Sequence, residues 1–295
     1  MYLLEQPMSG TDADAAEALT WPSLLPVVTG MPQLCRAGLS ENWLFKACGH
    51  RHWLALSAAY GLSSPDFRGT DGQRLYPAFT SIDLVAQGAG LGAVGENVRI
   101  DFALRLERIG RTRFRSTIAV SADGHPLAQL TMDSAFVHRA IAGANNSATR
   151  SGVALPCRLR LPAAHTTKPF RIHAWEMMLG FARTDRLVLA SVTLDPVPHE
   201  DFNGADFLYF SAFQAMLDRA EWTWFRTTEG LPTSCRRSIF YLGNAELGDR
   251  IQLHLCGLRE HGGASRDHWV EIQRESDGKL IGVAFSMRKM NADLR

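Results

Sequence analysis

The chain has 295 residues, 46% of them hydrophobic and 21% charged, a balance that supplies a packed interior and excludes long disorder; this length suits two domains of roughly 100 to 150 residues each. Thirty-one Lys and Arg stand against 30 Asp and Glu, leaving a formal charge of +1, so no overall field draws the protein to nucleic acid or to an anionic membrane. Cys35, Cys48, Cys157, Cys235 and Cys256 are odd in number and scattered, with no Cys-x-x-Cys pair; this excludes a disulfide framework and a structural zinc site and points to reduced cytoplasm.

In chain order, the first residues include Glu5, Asp12, Asp14 and Glu17 and lack a basic stretch followed by an apolar one, so no signal peptide is expected. No apolar run reaches membrane-spanning length either. Gly38-Leu39-Ser40-Glu41-Asn42-Trp43-Leu44-Phe45, continuing through His52-Trp53, reads as a helix entered after a glycine turn. His50-Arg51-His52 alternates too quickly for all three side chains to share one helix face, so no metal is expected there; His50 or His52 could serve as a general acid, but helix-end histidines more commonly face solvent. Residues 63–76 are rich in Gly, Pro, Asp and Ser and read as a loop. Gly90-Leu91-Gly92-Ala93-Val94-Gly95 matches a dinucleotide pattern formally but leads into a strand over 98–106 and not a helix, so it reads as a flexible loop.

Gly95-Glu96-Asn97-Val98-Arg99-Ile100-Asp101-Phe102 alternates polar and apolar residues as a half-buried strand does, and Ser121-Ala122-Asp123-Gly124 is a hairpin signal followed by a second strand over 127–137. The basic segments 105–115 and Arg236-Arg237 read as solvated strand faces and turns. Residues 142–167 are rich in Ala, Ser, Asn, Arg and Pro and read as a linker. Beyond it, Gly204-Ala205-Asp206-Phe207-Leu208-Tyr209-Phe210 through Glu221-Trp222 reads as a second helix entered at a glycine. Its apolar positions Phe207, Phe210, Phe213, Met216 and Leu217 recur at helical spacing. Gly248-Asp249-Arg250-Ile251-Gln252-Leu253-His254-Leu255 then answers the strand that starts at Gly95, and Glu275-Ser276-Asp277-Gly278 with 280–287 answers the first hairpin at nearly the same separation.

The chain is therefore an internal repeat. Each copy has a β-segment, one long apolar helix and then several antiparallel strands, the element order of a hot-dog domain in the α+β class. The expected architecture is a tandem, or double, hot-dog: a first domain over 1–140, a linker over 141–168 and a second domain over 169–295. Such a chain is its own pseudo-dimer, with further homodimerisation left open.

Asp201-Phe202-Asn203-Gly204, leading into Leu208-Tyr209-Phe210-Ser211-Ala212-Phe213 and followed by Tyr241-Leu242-Gly243-Asn244-Ala245-Glu246-Leu247, resembles the double hot-dog family of the leinamycin-pathway acyltransferase/decarboxylase. The resemblance implies decarboxylation of methylmalonyl-coenzyme A and delivery of the propionyl group to an acyl carrier protein in polyketide-like biosynthesis. It also implies a catalytic tyrosine in a tyrosine-rich strand of the first domain. The corresponding stretch here is Tyr76-Pro77-Ala78-Phe79-Thr80-Ser81-Ile82, which departs from the pattern in keeping a single phenol. Tyr76, Thr80 and Ser81 are all candidates for the hydroxyl.

A thioester enzyme must aim hydrogen-bond donors at the carbonyl oxygen, where negative charge develops. Gly204, read as the start of the second helix, offers close approach to backbone N–H groups and the helix dipole; Asn203 can donate its amide, and Asp201 can orient it. Both residue types also suit a helix cap. Decarboxylation needs no base, whereas hydrolysis would use a carboxylate such as Asp201 or Glu41 on water. The expected catalytic residues are thus Tyr76, Asn203 and Asp201, and the expected substrate-binding residues Thr80, Ser81 and Gly204. No metal and no bound cofactor are expected, coenzyme A or phosphopantetheine being the substrate's carrier. The partners are acyl-coenzyme A and an acyl carrier protein. A hot-dog thioesterase or dehydratase, and a non-catalytic protein that binds or gates an acylated carrier, are the alternatives.

Overall fold

The computed structural model describes residues 25–154, 161, 172, 175–227, 230–263 and 265–290; the acidic N-terminal residues and Cys157 lie outside them. The elements that position the site are β1 (Val27–Val28), α1 (Glu41–Ala59), β2 (Arg74–Ala86), β3 (Arg99–Arg108), β4 (Arg113–Ala122), β5 (His125–Arg139), β6 (Ala190–Leu194), α2 (Phe210–Phe225), β7 (Pro232–Tyr241), β8 (Ile251–His261), β9 (Ser265–Arg274) and β10 (Leu280–Met290). α1 begins where Ser40 Oγ accepts the Trp43 N–H at 3.2 Å, satisfying one of the unpaired donors of the first turn. The Asp-Gly signal is a tight turn between β4 and β5: Asp123 and Gly124 both have positive φ, 47° and 81°, as two-residue hairpin turns require.

The strands form one antiparallel sheet in the order β1-β3-β4-β5-β2-β7-β10-β9-β8-β6. That order is palindromic: β2 and β7 each follow a long helix and meet at the centre, and the strands outside them match in sequence of appearance. Ser81, Ile82, Asp83, Leu84 and Val85 pair with Phe240, Ile239, Ser238, Arg237 and Arg236 respectively. Within this ladder Ile82 and Ile239 face each other, both 0% exposed, each contributing about 1.5–3 kcal/mol by burial. α1 and α2 touch below this seam. Asn42 Nδ2 of α1 donates to the Ser211 carbonyl at 2.7 Å and to Gln214 Oε1 at 2.8 Å, and Gly49 leaves room for the Phe210 ring, which a Cβ there would meet at 2.5 Å. One core runs through both halves, from Leu44, Ile82 and Met132 to Phe213, Ile239 and Val270.

Four local expectations change. The second helix begins at Phe210 and not at Gly204; residues 202–209 form a loop held by side chains. His52 does not face solvent: it is 0% exposed, with Ser116 Oγ 2.8 Å from Nδ1 and Ser134 Oγ 2.7 Å from Nε2. Residues 90–95 are not a featureless loop, since Leu91–Ala93 is a 3-10 turn and Leu91 and Val94 are buried in the core. The segment read as linker contains a turn (Asn145–Ser147) and a strand (Ala148–Arg150) that pairs with β5; its residues 155–160 and 162–168 lie outside the described ones.

No helix among the described residues is long and apolar enough to cross a membrane. Cys35, Cys48, Cys235 and Cys256 are free thiols.

Candidate functional site

β2 is longer than its pairing with β7. Residues 74–80 run on past the end of β7 with one edge open, and a cavity of about 660 Å³ lies against that edge. Pro77 sits there, where its missing N–H costs no ladder bond, and its carbonyl accepts the Trp53 indole N–H at 2.9 Å. Trp53, Phe79, Phe210 and Phe213 give the wall its aromatic character; Phe79 and Phe210 meet edge to face at 4.6 Å.

The opposite wall is the loop before α2. Asn203 Oδ1 accepts from the N–H groups of Ala205 (2.9 Å) and Phe207 (3.2 Å), and its own N–H donates to the Phe207 carbonyl at 2.9 Å. Asn244 clamps Leu208 from both sides, accepting its N–H at 2.9 Å and donating to its carbonyl at 3.0 Å. Asn145, only 4% exposed, donates to the Ala245 carbonyl at 2.9 Å, while its own oxygen takes two bonds from Arg139. Arg139 also donates to the Ala205 carbonyl and lies 3.9 Å over the Phe207 ring. First-half residues thus hold second-half backbone. These bonds keep residues 202–209 out of the helix, for their N–H and C=O groups are already engaged.

α2 then starts against the cavity. Tyr209 is its N-cap without a side-chain cap, and the N–H of Phe210 finds no acceptor among the described residues. The Tyr241 hydroxyl donates to the Phe210 carbonyl at 3.1 Å and fixes this first turn.

Of the residues expected from sequence, Tyr76, Thr80, Asn203 and Gly204 line this one cavity; Asp201 and Ser81 do not. Tyr76 packs edge to face on Phe207 at 5.6 Å. Thr80 Oγ1 donates to the Asp133 carbonyl at 3.3 Å. The Asp201 carboxylate is 2% exposed and accepts the Val197 N–H at 2.7 Å, and its carbonyl accepts the Tyr209 N–H at 2.7 Å; it braces the loop from behind. Ser81 lies in the β2–β7 ladder opposite Phe240. Gly204 is a loop residue, so the helix-terminal N–H groups belong six residues later, at Phe210.

Asn203 resolves the choice between cap and donor in an informative way. Its oxygen is spent on the loop, while its Nδ2 has no partner among the described residues; one side chain can both brace backbone and offer a donor to a ligand. Tyr209 was not expected. Burial pushes its phenol up to about 12, so it stays protonated at neutral pH, and its hydroxyl has no partner among the described residues. Only its position at the true helix start, hidden in the sequence by the misplaced helix boundary, marks it.

The palindrome places a second cleft at the other end of the seam, by the N-terminus of α1. Charge fills it. Arg237, 0% exposed, lies 2.7 Å from Glu41, 3.0 Å from Asp218 and 3.0 Å from Glu221. Arg288 lies 2.7 Å from Glu221, and His268 Nε2 lies 2.9 Å from it. Burial pushes the Glu221 carboxyl up, but Arg237, Arg288 and His268 outweigh it and hold it well below the ordinary carboxylate range. Glu41, a sequence candidate for activating water, is therefore an ion-pair partner away from the large cavity. About 230 Å³ remains open in this second cleft. No group of three or more His, Cys, Asp or Glu among the described residues is placed to hold a metal ion.

No protein-family model and no curated protein sequence matches the chain. Solved structures do. A protein described as an oleoyl thioesterase from Lactobacillus plantarum superposes with a TM-score of 0.66 at 11% identity, over 90% of this chain and 94% of that one. The 12:0-ACP thioesterase from Umbellularia californica gives 0.58 at 10%, over 90% and 93%, and an acyl-ACP thioesterase from Bacteroides thetaiotaomicron gives 0.56 at 12%, over 90% and 96%. At such identities the likeness shows the fold alone: the hot-dog fold, a large antiparallel sheet with few helices.

Proposed function

We propose that this chain is a tandem double hot-dog protein that processes acyl thioesters carried on coenzyme A or on the phosphopantetheine of an acyl carrier protein, as an acyltransferase, a decarboxylase or both. The observation that carries this reading is the make-up of the large cavity. It is walled by aromatic side chains, it meets the N-terminus of a sixteen-residue helix, and it offers the donors of Asn203, Tyr76 and Tyr209, yet neither a carboxylate nor a histidine lines it among the described residues.

That donor set fits a reaction in which charge develops on the thioester oxygen without a base. Loss of carbon dioxide from a thioester with a carboxylate on its α-carbon, as in a malonyl or methylmalonyl group, leaves the electron pair on the α-carbon and the thioester oxygen. The Phe210 N–H, the positive end of the α2 dipole and the Asn203 amide can stabilise that enolate. A phenol then supplies a proton to the α-carbon and is itself reprotonated from water, with Tyr76 and Tyr209 as the candidates. Hydrolysis or dehydration would need a base in the cavity, and Asp201, the nearest sequence candidate, is turned to Val197. The likeness to acyl-carrier-protein thioesterases supports the substrate class and not the outcome of the reaction. A non-catalytic carrier-binding role is the second reading, favoured by the single phenol that the 76–82 strand keeps.

The test incubates the protein with malonyl-, methylmalonyl- and simple acyl-coenzyme A, with and without a phosphopantetheinylated carrier protein, and follows every species by intact mass. A decarboxylated acyl group, free on coenzyme A or moved to the carrier, is expected. Release of free acid would install the thioesterase reading instead, and unchanged thioesters with retained binding would leave a carrier-binding protein.

A further inference from the structure

The charged side chains that line the large cavity are Arg74, Arg150 and Lys279, all cations and all exposed, with no carboxylate among the described lining residues. Three positive charges thus line one cavity in a chain whose formal total is +1. Elsewhere the arginines are largely spent: Arg99, Arg115, Arg186, Arg236, Arg250 and Arg274 each hold a carboxylate within about 3 Å. At the cavity the pattern breaks. The guanidinium of Arg150 has no ion pair or hydrogen bond among the described residues. The ammonium of Lys279 has no ion pair or hydrogen bond among the described residues, and the neighbouring Asp277 carboxylate is already held by Arg274 at 2.5 Å. Arg74 reaches Asp66 at 3.5 Å, a carboxylate it shares with Arg68.

The three cations also come from both halves of the molecule: Arg74 from β2, Arg150 from the short strand beside β5, and Lys279 from the turn before β10. Like charges gathered at one opening repel one another, and low-dielectric aromatic walls behind them focus their field outward. The arrangement suits a ligand with an apolar or neutral end inside and an anionic end at the mouth. We infer that Arg74, Arg150 and Lys279 form a phosphate-binding rim that reads the phosphorylated end of a pantetheine arm while its acyl thioester occupies the cavity. The inference rests on the thioester reading proposed above and adds the recognition element to it. The phosphate is either the phosphodiester of a carrier protein's arm or a phosphate of coenzyme A.

The experiment measures calorimetric affinities of three non-reactive propionyl thioethers, built on pantetheine, phosphopantetheine and coenzyme A, for the wild-type chain and for R150A/K279A. Wild type should bind the phosphopantetheine thioether at least tenfold more tightly than the pantetheine one, with an affinity that falls as salt rises. The double variant should lose about tenfold for the phosphorylated thioethers, the scale of two exposed ion pairs, and keep its affinity for the pantetheine thioether. Equal affinity of coenzyme A and phosphopantetheine thioethers identifies the phosphate directly on the pantetheine arm, which a carrier protein's arm also has, as the group read; a further gain confined to coenzyme A and lost in the variant identifies its additional phosphates. Binding without discrimination by wild type, or discrimination that survives in the variant, overturns the rim and leaves the thioester site standing. No binding of any of the three overturns the thioester reading and the rim with it. Thermal unfolding at the wild-type midpoint shows that the variant is folded.

Discussion

Replacing Asn203 in two ways separates what its oxygen does from what its nitrogen does. In Asn203→Ala the N–H groups of Ala205 and Phe207 lose their common acceptor, bonds of 2.9 and 3.2 Å. At about 0.5–1.5 kcal/mol for each hydrogen bond, the expected destabilisation is about 1–3 kcal/mol, and activity falls as well because the loop wall of the cavity loosens. In Asn203→Asp the carboxylate keeps both acceptor bonds, so stability should stay within about 0.5 kcal/mol of wild type. The variant lacks the amide donor and sets a negative charge where the thioester oxygen would gain one, so turnover should fall about 10²–10³-fold, the scale seen for one lost oxyanion donor. Urea unfolding reads the first quantity and intact-mass turnover the second. An Asp variant that turns over at the wild-type rate would refute the donor role, and an Ala variant that unfolds at the wild-type midpoint would refute the bracing role.

Three further outcomes follow from the same geometry. Burial lowers the His52 pKa to about 3 from 6.5; its folded value lies below its unfolded one, so its neutral form costs nothing above pH 6.5 and opposes folding as pH falls from there toward 3. Between pH 7 and 5 wild type should lose about 2 kcal/mol that His52→Asn does not, at 1.36 kcal/mol per unit, read by urea unfolding at the two pH values. Asn244→Ala frees both backbone groups of Leu208 and should cost about 1–3 kcal/mol, with faster hydrogen exchange at the Leu208 amide as its local signature. Arg237→Met leaves Glu41 buried beside the more distant Arg288, at 3.7 Å; a loss of about 3–5 kcal/mol in urea unfolding is expected, with thioester binding in the large cavity retained.

What was legible in the sequence was what neighbouring residues determine among themselves. Period-two alternation marks β3 and β8, Asp123-Gly124 marks the turn between β4 and β5, and the repetition of these signals at near-constant separation marks a chain built twice over. The motif that begins at Asp201 led to Asn203 and Gly204, and the hydroxyl strand led to Tyr76 and Thr80, all four of which line one cavity. The start of α2 was not legible, because beside the local bonds of Asn203 those that hold residues 202–209 in a loop come from Asn244, Asn145 and Arg139, far away in the chain. That error hid Tyr209 and assigned the helix-terminal N–H groups to Gly204. The burial of His52 depends on Ser116 and Ser134 arriving opposite it on β4 and β5. The difference between the two clefts was likewise invisible locally. It arises because β2 and β7 pair over only five residues, so each strand overruns the other at one end: residues 74–80 of β2 border the large cavity, while next to the overrun of β7 the Arg237 side chain is met by Glu41, Asp218 and Glu221 and closed in. Local periodicity can specify strands and turns, but which side chains meet across a seam between two halves depends on a register that exists only once both halves have folded together.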